Sequence, residues 1–285
     1  MHPLIRKLVR APKTAFEQIS AAALQRSVAK TDLSKIKARP HRLPGRLIVS
    51  LTSYPPRYKH LYYTLMCLLS QTVKADDLIL WVSESDEKQL TPEIRSLQAH
   101  GLTIGICKDY KSYNKIVHTL EAYPDAFIVT VDDDLYYRPT LLEELLQHYK
   151  GDPHTIICHR CHRVKLGPDG TPEPYAAWDY NISASAPNWD VFPTGVGGIL
   201  YPPGSLPKET LDSQTFTKIC ASADDVWLYW MALRNGSLFT KVGPPRPVRA
   251  WPSSQKIGLH RLNTLGVNQN DTNIARMLEH FGKPF

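Results

Sequence analysis

No stretch of this 285-residue sequence reaches the roughly 18 uninterrupted apolar residues that a membrane-spanning helix needs. The N-terminus is basic but has no continuous apolar segment of the secretory-signal kind, so the chain is expected to stay in the cytoplasm. Cysteine is scarce: Cys67, Cys107, Cys158, Cys161 and Cys220 are too few and too scattered for a disulfide framework. Cys158-His159-Arg160-Cys161-His162 spells the haem-attachment pattern, but covalent haem attachment belongs to exported proteins. A second Cys or His pair at zinc-finger spacing is absent as well. Gly195-Val-Gly-Gly198 lacks the spacing of a phosphate-cradling P-loop, and no internal repeat or low-complexity tract stands out.

What is present is an ordinary globular composition with one unusual end. The apolar fraction of 42% suits a folded domain. Residues 1–46 carry eleven Lys or Arg against only Glu17 and Asp32, a net of +9, while the whole chain is +7, leaving −2 for residues 47–285. The sequence therefore divides into a basic arm, 1–45, and a nearly neutral domain, 46–285. Nucleic-acid binding would show basic residues interleaved with aromatics across the folded part, so no nucleic-acid partner is expected. Residues 1–30 mix cations with Leu4, Ile5, Leu8, Val9, Phe16 and Ile19. Such an arm suits peripheral contact with an anionic membrane at its inner face, or packing on its own domain or a partner.

From Pro44-Gly45 onward, short apolar strands alternate with amphipathic helices. Strands are expected over 46–52, 78–82, 102–106 and 127–131, and helices over 58–70, from Thr91-Pro92, over 112–122 and over 139–149. This alternation predicts an α/β fold, a Rossmann-like and mostly parallel sheet with helices on both faces. Residues 46–150 would form the nucleotide-binding half. Residues 151–285 read as a less regular, acceptor-side half, rich in Pro, Gly and aromatics, with helices near 222–235 and from 270. Ligands of such sheets bind beyond the carboxyl ends of the strands, which directs attention to Thr52-Ser53-Tyr54, Ser83-Glu84-Ser85, Lys108-Asp109 and Asp132-Asp133-Asp134.

Three consecutive carboxylates after a buried strand repel one another, and desolvation raises their pKa values. A hard divalent cation, Mn2+ or Mg2+, relieves both problems by accepting carboxylate oxygens together with substrate phosphates. In an extended segment side chains alternate, which would pair Asp132 with Asp134 and turn Asp133 away. The plainer alternative is a solvated acidic turn capping the following helix.

At this point the chain resembles the GT-A glycosyltransferases, specifically the family 2-like bacterial enzymes of surface-polysaccharide synthesis. The matching pieces are Ser50-Leu-Thr-Ser-Tyr-Pro-Pro-Arg57, Ser70-Gln-Thr72, Ile79-Leu-Trp81, Ile128-Val-Thr-Val-Asp-Asp-Asp134, Gly195-Val-Gly-Gly-Ile-Leu-Tyr-Pro202 and Ala223-Asp-Asp-Val-Trp227, within residues 46–280. The resemblance implies metal-dependent transfer of a sugar from a nucleotide-sugar donor to a glycan or lipid-linked acceptor. UDP is the implied nucleotide and inversion the implied outcome, with retention left open. Thr52, Tyr54 and Arg57 would meet the base and ribose, Asp132 the ribose, and Asp134 the metal. Gly195-Val-Gly-Gly198 would lie beneath a sugar.

Other assignments come from chemistry. Lys115 and Lys108 would add positive charge near the diphosphate, Lys108 being also readable as an ordinary surface residue. Sugar transfer with inversion needs a carboxylate base. The resemblance assigns that role to Asp225, with Asp224 the alternative, although Ser222-Ala-Asp-Asp225 also fits a helix capping box. Trp178, Trp189 and Tyr201 are candidate sugar-stacking faces. His159-Arg160 and His162-Arg163 would place two cations on one strand face, towards a pyrophosphate or phospholipid-linked acceptor or simply as solvated surface, and His260 is a candidate third metal ligand. Two further readings compete. A nucleotidyltransferase would favour a glycine-rich basic loop after the first strand, where this chain has two prolines. A non-catalytic carbohydrate-binding protein on the same fold would not need Asp224-Asp225.

Overall fold

The computed structural model describes residues 21–221, 223–252, 254 and 269–284. Ten strands are numbered here: β1 Leu47–Thr52, β2 Asp77–Ser83, β3 Leu102–Cys107, β4 Phe127–Thr130, β5 Thr155–Cys158, β6 Cys161–Arg163, β7 Ser185–Asn188, β8 Val191–Pro193, β9 Ile199–Tyr201 and β10 Leu238–Lys241. The principal helices are α1 Tyr58–Leu69, α2 Asn114–Ala122, α3 Leu141–His148, α4 Ser213–Ile219, α5 Asp224–Arg234 and α6 Gln269–Phe281.

Eight strands form one sheet in the order β3-β2-β1-β4-β9-β5-β10-β7. The first four are parallel. β9 then enters antiparallel to both β4 and β5. β10 runs parallel to β5, and β7 closes the edge antiparallel to β10. The expected α/β fold, a mostly parallel sheet with helices on both faces, is the one observed. β6 and β8 pair separately in an antiparallel ribbon over the second half.

Strand alternation divides the core in two. Leu47, Val49 and Leu51 of β1 and Phe127 and Val129 of β4 pack against α1 and α3. Ile48 and Ile128 face the other way, into a core shared with α2, α5 and α6. α5 has nine of its eleven residues buried, so it is a core helix with no solvent face. One close approach in the sheet depends on glycine. A Cβ on Gly105 of β3 would lie 2.4 Å from the Trp81 ring, which reaches across to Thr119 through its indole N–H.

Part of the basic arm packs on this domain. Residues 21–29 are helical, Val28 is buried, and Leu24, Leu33 and Leu43 rest on the α1–α3 core. Arg39-Pro40 pairs with Val73-Lys74, and Arg39 reaches Glu143. The membrane-contact expectation falls largely on residues 1–20, outside the described residues. Among the described residues no helix is long and apolar enough to cross a membrane.

Candidate functional site

A cleft of about 880 Å3 opens where the parallel strands end. Its lining includes Thr52, Tyr54, Arg57, Asn114, Lys115, Asp132, Asp133, Asp134, Gly195, Asp224 and Asp225. The expected nucleotide-, metal- and base-site residues other than His260 therefore meet in one place. His260 lies outside the described residues. This convergence has a topological cause: β1 and β4 are neighbours, so the segments leaving them lie side by side.

The triple aspartate departs from simple alternation. β4 ends at Thr130, and Asp133-Asp134 already lie in a turn. Asp132 therefore faces Lys115, whose Nζ is 3.0 Å from its Oδ1. Asp133 and Asp134 share Arg57 instead, at 2.6 and 3.2 Å. Ser53 also donates to Asp133, at 2.5 Å. Beneath them, Thr64 donates to the carbonyls of Asp133 and Leu135 and accepts the Trp251 indole N–H at 2.8 Å. The turn is thus fixed from both sides.

Lys115 is buried, and its ammonium also stands 3.1 Å from Asp224 Oδ2. Burial alone would lower its pKa, but Asp132, Asp224 and Asp225 outweigh burial and hold it well above the ordinary value. The capping-box expectation for Asp225 rests on Ser222 and lies outside the described residues. Among the described residues α5 starts from Ala223 without a side-chain cap, and both Asp225 oxygens accept the Gly195 amide, at 3.0 and 3.1 Å. Burial, then the Asp224 charge, pushes Asp225 up to about 7. Burial does the same to Asp134, also to about 7, with Arg57 opposing and Asp133 and Asp132 adding to the rise.

Gly195 marks the meeting point of these groups. A Cβ there would lie 2.9 Å from Lys115 Nζ and 3.3 Å from both Asp132 Oδ1 and Asp225 Oδ1. The glycine keeps open the space on which three charged groups converge, a role its position in the Gly-Val-Gly-Gly run did not specify.

Seven aspartates and four Lys or Arg line the cleft, an excess of three carboxylates. Among the described residues no three His, Cys, Asp or Glu side chains form a group able to hold a metal by themselves. Mg2+ ordinarily takes one or two carboxylates and completes its shell with substrate phosphates and water. The carboxylate excess and the raised Asp134 fit such an ion, though not a preformed protein cage.

Several sequence expectations are corrected by packing. Trp178 and Tyr201 are core residues, and Trp189 lies away from the cleft, so none of the three is a stacking face there. The aromatics lining the cleft are Tyr54, Tyr175 and Phe192. The His159–Arg163 stretch does not put two cations on one face, because a bend at 159–160 interrupts it. Arg160 enters the cleft, Arg163 pairs with Asp190, and burial lowers His162 to about 4. Cys158 and Cys161 are core residues, and among the described residues they belong to no group of three ligands able to hold a metal. Lys108 sits over the Tyr110 ring and does not line the cleft. Thr194 and Tyr175 were missed as site residues, since only tertiary packing brings them to the strand ends beside Arg160.

No family model matches this chain, and no curated protein matches it. Among solved structures, one similar fold is the inositol-1-phosphate CTP transferase from T. maritima, at 11% identity and TM-score 0.43, covering 85% of this chain and 97% of that one. Another is a 4-diphosphocytidyl-2C-methyl-D-erythritol synthase, at 13% identity and TM-score 0.45, covering 77% and 99%. These findings correct the expected membership in the family 2-like glycosyltransferases, and with it the expected sugar transfer from a nucleotide-sugar to a glycan or lipid-linked acceptor. The similar folds are named for nucleotide-transfer chemistry, not for glycosyl transfer. A likeness this distant assigns no family, substrate or acceptor to this chain.

Proposed function

We propose that this chain is a nucleotidyltransferase that takes a nucleoside triphosphate in the cleft and transfers its nucleotidyl group to an acceptor oxygen. The observation that carries this reading is the convergence of two fixed cations, Lys115 and Arg57, on the carboxylates at the strand ends. An acceptor oxygen that arrives already ionised needs no carboxylate base. In the transfer the acceptor oxygen forms a bond to the α-phosphorus while the bond from that phosphorus to the bridging oxygen breaks. The electron pair leaves with pyrophosphate.

The chain's own residues suit the charge changes involved. Lys115, fixed between Asp132 and Asp224, is a preorganised cation in a partly desolvated site, where such charge stabilises developing negative charge most. Arg57 adds a second cation immediately after the first strand, replacing the glycine-rich loop that the two prolines preclude. Tyr54, stacked near Arg57 and partly exposed, offers a face for a base, and Thr52 lies beside it. Asp132 and Asp134 are the carboxylates that would hold Mg2+ or Mn2+, which when bound neutralises phosphate charge. Asp133, locked by Ser53 and Arg57, would position Arg57 rather than touch the metal.

The test is release of pyrophosphate from a panel of nucleoside triphosphates with Mg2+ and small phosphorylated acceptors. Triphosphate consumption with pyrophosphate release supports the proposal. Binding of nucleotides without turnover for any acceptor would favour a binding protein, and no nucleotide binding at all would sink the reading.

A further inference from the structure

The order of the sheet separates the cleft into two ends. The segments after β1, β2 and β3 line one end, with Thr52, Tyr54, Asp86 and Asp109. The other end lies across Asp132, Lys115 and Gly195, beyond β4, and includes Arg160, Tyr175, Phe192 and Thr194. Three of the four cleft cations are paired: Arg57 with Asp133 and Asp134, Lys115 with Asp132 and Asp224, and Lys111 with Asp109. Arg160 differs. Among the described residues it makes no ion pair, and its one side-chain hydrogen bond runs from Nη1 to Thr194 Oγ1, at 2.7 Å. The segment 255–268 contains no Asp or Glu.

Arg160 is also held in place. Its carbonyl accepts the Thr194 amide at 3.1 Å, and Gly197, at φ +122°, passes close enough that a Cβ would touch the Arg160 Cβ at 3.4 Å. None of its unpartnered nitrogens is sealed from solvent. A half-buried guanidinium without a carboxylate, anchored by one corner in the wall of a cleft, leaves the rest of its fork for a ligand. That fork matches the oxygens of a phosphate in a way no ammonium does.

We infer that Arg160, oriented by Thr194, is the anion anchor of the acceptor subsite and selects an acceptor carrying a phosphomonoester. This rests on the nucleotidyl-transfer reading for the word acceptor, while the binding of the anion can be tested without turnover. The Tyr175 and Phe192 rings beside Arg160 would flank the acceptor's carbon skeleton, and Lys115 lies on the side facing the triphosphate.

The experiment is calorimetric titration of the full chain with glycerol phosphate, with glycerol as uncharged control, and separately with nucleoside triphosphates. Arg160→Gln, Arg160→Lys and Thr194→Val are compared with the wild type, and thermal unfolding confirms that each is folded. The expected result is glycerol phosphate binding without glycerol binding, weakened about 10-fold or more in Arg160→Gln. Arg160→Lys should recover part of the loss, Thr194→Val should lose less, and triphosphate affinity should stay within about 2-fold. Unchanged glycerol phosphate affinity in Arg160→Gln, no binding to the wild type, or an equal loss of triphosphate affinity would each overturn the inference. Failure of nucleotidyl transfer alone would appear separately, as intact binding at both ends with no pyrophosphate.

Discussion

The two ends of the cleft are built differently. At the β1–β3 end and in the middle every cation is paired with carboxylates: Arg57 lies against Asp133 and Asp134, and Lys115 against Asp132 and Asp224. At the β5–β8 end, Arg160 stands on a hydroxyl and, among the described residues, meets no carboxylate. Paired cations in a site are held for a fixed task, such as stabilising charge that develops during reaction. An unpaired one awaits a ligand. The same division runs through the backbone. The first end rises from regular parallel strands, and the second from a bend, an antiparallel ribbon and a glycine run.

The largest test of this division is Lys115→Met. It would strand Asp132, Asp224 and Asp225 without their shared cation, and removing one partner from such a buried network costs about 3–5 kcal/mol. Pyrophosphate release should fall about 100-fold or more. Thermal unfolding together with turnover checks both effects, and near-normal turnover would remove Lys115 from the mechanism.

Gly195→Ala probes the junction between the two ends. Gly195 is not at positive φ, so alanine fits its backbone, and the effect should come from the methyl group against Lys115. Turnover should drop about 10-fold while stability changes by about 1–2 kcal/mol, the usual scale of mild overpacking. A loss of stability without a loss of turnover would show that the space serves packing alone.

Asp225→Asn sharpens the electrostatic side. In the folded chain Asp225 holds its proton up to about 7, above the ordinary carboxylate value of 3.8. A raised acid favours folding most when protonated, so its contribution is full below about pH 4 and is lost as pH rises toward 7. Asparagine cannot ionise. The Tm difference between variant and wild type should therefore move in the variant's favour from pH 4 to pH 8. A difference that is flat with pH would mean that Asp225 is not raised.

The smallest effect is expected at Lys108→Ala. Lys108 lies outside the cleft, over Tyr110, and turnover and nucleotide affinity should stay within about 2-fold, the scatter usual for a surface change. A larger loss would extend the first end of the cleft beyond β3.

Legibility in the sequence followed the same line between the two ends. Strands β1 to β4 and helices α1 to α3 were readable because apolar period and turn residues agree there, and the rule that ligands sit at strand carboxyl ends then located Thr52, Tyr54, Arg57 and the aspartates. Asp225 was found by its neighbours in the sequence, but its contact with Gly195 was not. The Gly195 amide lies thirty positions away, and no local pattern encodes that contact. Arg160 was read as half of a cationic face because strand alternation was extended across a bend.

The sequence by itself determined the α/β alternation, the position of the acidic run after a buried strand and the concentration of positive charge in the arm, since each depends on residues close together in the chain. Only the tertiary structure decided which charges meet. Lys115 bridging Asp132 and Asp224, Arg57 serving two aspartates, Gly195 leaving room among them and Arg160 resting on Thr194 all depend on how distant segments are brought together by strand order. Electrostatic pairing acts over a few ångströms of space, whatever the separation along the chain.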